Sequence, residues 1–250
     1  MKLRSMLKLF CGILSIMTGM LLFQSCSDDD GYSLDKFAID VMTAKPLGGG
    51  SYYLVRDNGE TLWPFATNDY RFNPNSKQRV QVNYTMLSDS KQGFSHGIKI
   101  NWIDEILTKA IASNKGEEND EIYGTDPVEL IAIETGGGYL DIMFGAYYGD
   151  SGEKHFVNLI PSSLNDSTSY ELEFRHNAYN DSQKYGVKGL VSFDLSSLPD
   201  TKGETVTLKI KFNTFDGEVI KEIPYNSSKY TYSGSILTSS ISDKDSGNMF

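Results

Sequence analysis

The chain has 250 residues with 23 basic, 33 acidic and three histidine side chains, a formal net charge of −10. An acidic surface repels nucleic-acid phosphates and anionic headgroups, which excludes nucleic acid as a partner. Only two cysteines are present, at positions 11 and 26, so no disulfide framework holds the chain and its core must do so alone.

The first elements form a secretory leader. Lys2, Arg4 and Lys8 precede an apolar run from Leu9 to Phe23, a charged end followed by a segment that enters a membrane. That run is shorter than the roughly 20 residues of a stable span. It ends in Leu21-Leu22-Phe23-Gln24-Ser25-Cys26, which resembles a bacterial lipobox, although Phe23 and Gln24 depart from its strict pattern. Residues 1–25 are therefore expected to be a lipoprotein signal peptide, with Cys26 as the lipidated residue and the lipid bilayer as its partner. Cleavage there removes three basic and no acidic residues, leaving 20 basic against 33 acidic ones, a net charge of −13. Residues 26–34 read as an acidic tether. Its Ser27-Asp28-Asp29-Asp30 resembles a signal for display on the outer face of the outer membrane.

Strand-type alternation follows. Phe37, Ile39 and Val41 alternate, and residues 51–55 lead through Asp57-Asn58-Gly59 into Thr61–Phe65, a hairpin signature. Pro64 suggests an edge or strand end. Val80, Val82, Tyr84 and Met86, then Ile98, Ile100 and Trp102, give two more strands. Five strands over residues 35–103 predict a small OB-like Greek-key barrel.

Ile103, Ile106, Leu107, Ala110 and Ile111 have helical spacing, and Asn114-Lys115-Gly116 ends that pattern before the acidic run Glu117–Glu121. Residues 104–126 are accordingly expected to be a short helix and acidic linker between independently folding halves. Beyond Pro127, seven runs near 128–134, 138–147, 155–160, 169–175, 187–195, 205–213 and 218–223 predict an immunoglobulin-like β-sandwich over residues 127–225. Residues 226–250 read as a Ser-rich, poorly ordered tail. The fold class is thus all-β: barrel, short helix, sandwich.

Within this frame His155-Phe156-Val157-Asn158-Leu159, Leu172-Glu173-Phe174-Arg175-His176-Asn177 with Asp181, and Val191-Ser192-Phe193-Asp194-Leu195 resemble landmarks of the NigD-like lipoproteins, over roughly residues 35–225. The resemblance implies the same barrel-plus-sandwich plan and a role like bacteriocin immunity. It supplies no catalytic residues.

Side chains that carry chemistry are sparse. His155 and His176 with Asp181 or Asp194 could form a metal or acid–base site, but none has the paired spacing of known metal motifs. The expectation is no metal, no cofactor and no catalytic residue, with histidines bonding their neighbours. Residues 175–181 read as a structural loop whose Asn and Asp side chains cap backbone groups. Gly48–Gly50 and Gly136–Gly138 precede no helix and read as turns rather than phosphate cradles. Aromatics cluster at Tyr52, Tyr53, Trp63, Phe65 and Tyr70, and again at Tyr139, Tyr147 and Tyr148; where exposed they suit protein or glycan recognition. Two functions follow: a non-catalytic binding module on the outer membrane, or a hydrolase of glycan or envelope polymer built on two carboxylates. The first is preferred. A carboxylate-lined pocket with shifted pKa values would favour the second, and a shallow aromatic surface the first.

Overall fold

The computed structural model describes residues 36–90, 93–164 and 170–228. The leader, Cys26 and the acidic tether, and the tail beyond Ser228, lie outside the described residues. No described helix is long and apolar enough to cross a membrane.

Five strands, β1 (Ala38–Gly48), β2 (Ser51–Arg56), β3 (Thr61–Thr67), β4 (Gln78–Ser88) and β5 (His96–Glu105), close a barrel in the order β1-β2-β3-β5-β4. Closure removes free strand edges. Met42, Ala44, Leu54, Leu62, Val80, Val82, Ile98 and Ile100 fill its interior. Asn58-Gly59 makes the β2–β3 turn, with Gly59 N–H donating to the Arg56 carbonyl. Pro64 sits where β3 leaves β2 and pairs in parallel with β5, next to a register shift, where its missing N–H is tolerated. The alternating Phe37, Ile39 and Val41 do not face the barrel core: Phe37 is exposed, and Val41 packs with sandwich residues Ala132, Met143 and Leu190.

The helical spacing at 103–111 is a coincidence of two strands. Residues through Glu105 complete β5, and β6 (Leu107–Ala110) pairs in parallel with a sandwich strand. Ile106 between them donates its N–H to the Arg79 carbonyl and breaks the alternation. Pairing partners on both sides override a pattern that fixes only which residues are apolar. The short helix, α1 (Asn119–Tyr123), forms instead within the acidic run, after a 3-10 turn at Gly116–Glu118. Its Tyr123 is buried and donates to the Ser113 carbonyl.

The sandwich contains the seven expected strands, β7 (Glu129–Gly136), β8 (Tyr139–Tyr148), β9 (Phe156–Pro161), β10 (Glu171–Asn177), β11 (Tyr185–Asp194), β12 (Val206–Thr214) and β13 (Gly217–Tyr225). The segment expected to be linker adds β6 as an eighth. Sheets β13-β12-β10-β9 and β6-β11-β8-β7 enclose Leu140, Ile142, Phe144, Leu159, Phe174, Val191, Phe193, Ile210 and Phe212. Lys109 of β6 donates to the Val157 carbonyl and to Asn158 of β9, tying the two sheets along one side. Asn226 and Ser227, expected in a loose tail, are docked: Asn226 donates to the Gly203 carbonyl and Ser227 bonds Asp200 and Thr201.

Barrel and sandwich meet across a buried junction. Arg79 of β4 is fully buried and donates to Asp57 of the barrel hairpin at 2.7 and 3.0 Å, to Thr43, and to Asp141 of β8. Ser192 of β11 donates to the other Asp141 oxygen. Beside this polar knot lies an apolar seam of Val41, Ile106, Ala132, Met143 and Leu190. Apolar and charged side chains on the outer faces of both bodies are thus buried against each other at this junction.

Candidate functional site

Strand β8 runs from Tyr139, beside the barrel, to Tyr148 at the far end of the sandwich, where it pairs with the start of β11. That far end gathers the histidines. His155 precedes β9 and His176 lies near the end of β10; His155 Nδ1 and His176 Nε2 are 3.1 Å apart. His155 Nε2 lies 3.4 Å from Asp181 Oδ2, and the Tyr148 ring stacks on His155 with centroids 3.6 Å apart. Both imidazoles are buried. Asp194 is elsewhere: its carboxylate caps the Ser196 N–H. His96 lies on the barrel, 3.7 Å from Glu60.

Hydrogen bonding links this cluster to its loops. Asp181 accepts from Ser151 Oγ and Gly149 N–H at 2.7 Å each and from Ser182 N–H at 2.9 Å. The Ser151 and Gly149 bonds, foremost, hold its pKa down at about 2. His155 Nε2–H can donate to the ionised Asp181, and one tautomer pair that completes the chain has His176 Nε2–H donating to His155 Nδ1. His176 Nδ1 then has no hydrogen-bond partner among the described residues. Burial first, and His155 second, depress the His176 pKa and keep it neutral. Among the described residues no cluster of three or more metal-ligating side chains has metal-binding geometry. The cluster acts as a clasp: it ties the 149–151 turn, the start of β9 and the 177–182 loop together. Residues 175–177, which the sequence suggests as loop, complete β10, and the loop begins at Ala178, with Asn177 capping the Tyr179 N–H and Asp126 capping that of Ala178. Tyr179 and Asn180 adopt left-handed backbone, φ 52° and 60°, a conformation costly for a bulky residue and maintained by that bonding.

Around the clasp the surface is aromatic. Tyr147 and Phe215 meet edge to face with centroids 5.3 Å apart, and Phe156 and Tyr179 do so at 5.7 Å. All four, and Tyr185, are exposed. Tyr147 and Phe215 flank an open groove of about 860 Å³ whose floor includes Gly145 and Gly186, with Glu129, Lys188, Asp216 and Lys221 among its lining residues. Of the other aromatics singled out by sequence, Tyr52 and Tyr139 are core, and Tyr70 is solvent-exposed.

The strongly shifted carboxyls lie elsewhere, and sequence reasoning missed them. Glu134 of β7 is buried opposite Asp141; burial first, then Asp141 and Asp57, push its pKa up to about 8. Burial also raises that of Asp141, against the pull of Arg79. Neither lines the Tyr147 groove or the smaller ones beside Asp194 and Arg175. The one available signal was a lone acid, Asp141, inside an otherwise apolar run.

Comparison with known proteins decides the family. The family model for the NigD-like N-terminal OB domain matches residues 41–106, and that for the NigD-like C-terminal beta sandwich domain matches residues 110–225. The chain belongs to the NigD-like family. A solved structure of a toxin related protein from Parabacteroides distasonis ATCC 8503 is 47% identical, with TM-score 0.71, covering 77% of this chain and 94% of that one. The same NigD-like fold recurs in a protein of unknown function from Bacteroides vulgatus ATCC 8482, with 24% identity, TM-score 0.64 and coverage of 76% and 91%. It recurs again in a NigD-like immunity protein from Bacteroides caccae ATCC 43185, with 23% identity, TM-score 0.60 and coverage of 75% and 96%. Comparison with curated proteins gives no match.

Proposed function

We propose that this NigD-like chain is a non-catalytic interaction module, immunity-like in role, displayed on the outer membrane by lipid on Cys26. The observation that carries the reading is the aromatic surface at the far end of the sandwich. Tyr147 with Phe215, and Phe156 with Tyr179, are exposed as two edge-to-face pairs at the strand ends and turns around the His155–His176–Asp181 clasp, and Tyr185 is exposed at the start of β11. Large aromatic side chains on preorganised loops give contact area at low entropic cost and dominate protein-binding hot spots. The relatives named toxin related protein and NigD-like immunity protein agree with a protective binding role. A hydrolase would need its raised-pKa carboxyls on a groove, whereas Glu134 and Asp141 are sealed between barrel and sandwich.

The test is protection. Cells lacking the gene, complemented with wild type or with Tyr147→Ala/Phe215→Ala, are challenged with purified bacteriocins of competing strains. Protection by wild type that the double variant loses, at equal surface amounts, supports the reading. Equal sensitivity of complemented and deleted cells to every bacteriocin defeats it.

A further inference from the structure

We propose that the outer face of β2 and β3 in the barrel, together with Phe94, is a binding site for an oligosaccharide. Five-stranded barrels of this order bind oligonucleotides or oligosaccharides on the face of strands 2 and 3 and on the loops joining strands 1–2 and 4–5. Here that location carries an aromatic platform. Trp63 of β3 stacks on Phe94, from the β4–β5 connection, with centroids 5.0 Å apart and planes 29° apart. Tyr53 of β2 meets the same Phe94 at 5.5 Å. Their neighbours Tyr52, Leu54 and Leu62 point into the barrel core, so Tyr53 and Trp63 have the outward parity, and both are half-buried.

The platform continues along β3. Phe65, 41% exposed, packs on β5 at Gly97, where a Cβ would stand 2.2 Å from Phe65 Cε2. Any larger residue at 97 would lift that ring. Leu47, at the end of β1, is also exposed, and Lys45 is the register partner of Tyr53. None of this hydrophobic surface serves either core cluster.

Aromatic faces accept both nucleobases and the C–H faces of sugars, so charge must choose between them. Single-stranded nucleic acid needs a positively charged groove tracking its phosphates. The chain beyond residue 25 carries −13, from 33 acidic and 20 basic side chains, which disfavours phosphodiesters and leaves an uncharged or sparsely charged sugar chain as the fitting ligand. This site lies on the barrel and is independent of the sandwich surface; its failure would leave the protective role untouched, and the reverse.

The experiment uses the full lipidated protein in a sugar-free detergent, applied to a printed array of bacterial, plant and animal oligosaccharides, with oligothymidine as the competing class. The expected result is binding to a related set of oligosaccharides, weakened about ten-fold or more by Trp63→Ala or Phe94→Ala and unchanged by Tyr147→Ala. Trp63 and Trp102 are the only tryptophans, so Trp102→Phe leaves Trp63 as a fluorescence reporter whose emission should shift with the bound glycan. Phe65→Ala removes a ring that is 41% exposed; in folded protein it should weaken binding, which keeps the test valid if Trp63→Ala fails to fold. No retained oligosaccharide, tighter binding to oligothymidine, or full binding by a folded Phe94→Ala and Phe65→Ala pair would each overturn the site.

Discussion

Asp57 of the barrel hairpin lies directly against Gly136 of the sandwich hairpin: a Cβ at Gly136 would stand 2.2 Å from Asp57 Oδ2. The same carboxylate accepts two bonds from Arg79, whose guanidinium also reaches Asp141 and lies 4.9 Å from the Tyr139 ring centroid. Two turns that look like unrelated connectors in sequence, Asp57-Asn58-Gly59 and Gly136-Gly137-Gly138, thus form one junction, and glycine is required at 136 because a charged side chain from the other body occupies the space.

Breaking this junction should uncouple the two bodies. Arg79→Met leaves Asp57 and Asp141 buried without their cation, which costs about 3–5 kcal/mol. Both tryptophans are in the barrel, so their fluorescence follows the barrel alone while far-ultraviolet circular dichroism follows the whole chain. In urea the wild type should give coincident transitions by both probes, and Arg79→Met should separate them. Coincident transitions at an unchanged midpoint in the variant would contradict this. Gly136→Ala should be destabilising in the same direction, by displacement of Asp57.

Glu134 sets an alkaline limit. Its folded pKa of about 8 lies above the ordinary glutamate value, so between roughly pH 4.5 and 8 the folded state binds more protons than the unfolded one. Stability therefore falls as pH rises through that window. Glu134→Gln keeps the neutral form at every pH and should flatten the slope, with a Tm several degrees above wild type at pH 8.5 and close to it at pH 5. A wild-type Tm that does not decline between pH 5 and 8.5, relative to Glu134→Gln, would refute the assignment.

His176 works in the opposite sense. Burial and His155 lower its folded pKa, so below the unfolded value of about 6.5 the unfolded state binds more protons, and stability falls with falling pH. His176→Ala should cost roughly 1–3 kcal/mol at pH 7.5, through lost packing and an orphaned His155 Nδ1. The penalty should shrink at pH 5.5, where the wild type has itself lost stability. Chemical denaturation at the two pH values measures this, and an undiminished penalty at pH 5.5 would argue against a neutral clasp.

Strand identity was legible wherever one face is buried and the other wet, because period-two alternation records that asymmetry: Val80, Val82 and Tyr84, or Leu208, Ile210 and Phe212, all turn inward. It failed where the second face is also buried. Val41 and Arg79 point away from the barrel interior yet are covered by the sandwich, and alternation cannot say what covers an outer face. The 103–111 segment failed for a related reason, since its apolar residues serve three clusters in turn. Ile103 belongs to the barrel core, Ile106 to the seam and Ile111 to the sandwich. His155, His176 and Asp181 could be named as a group, but their contact depends on β9 pairing with β10, a long-range fact no local pattern contains.

The anchor makes the last prediction. Ser25-Cys26 closes an apolar leader, and Cys26 is the first residue expected to remain after cleavage. Each acyl chain contributes about 0.8 kcal/mol per buried CH₂, so one chain binds reversibly and two or more hold a protein stably. No described helix is long and apolar enough to cross a membrane, and the proposal is that lipid on Cys26 determines partition. Wild type should enter the detergent phase of Triton X-114 and incorporate labelled palmitate; Cys26→Ala should do neither and should be released in soluble form. Replacing Asp28, Asp29 and Asp30 by alanine should leave the label in place while abolishing cleavage of the body by proteinase added to intact cells. Palmitate on Cys26→Ala would place the anchor on another residue, and unchanged proteinase sensitivity in the triple variant would reduce the acidic run to a solvated spacer.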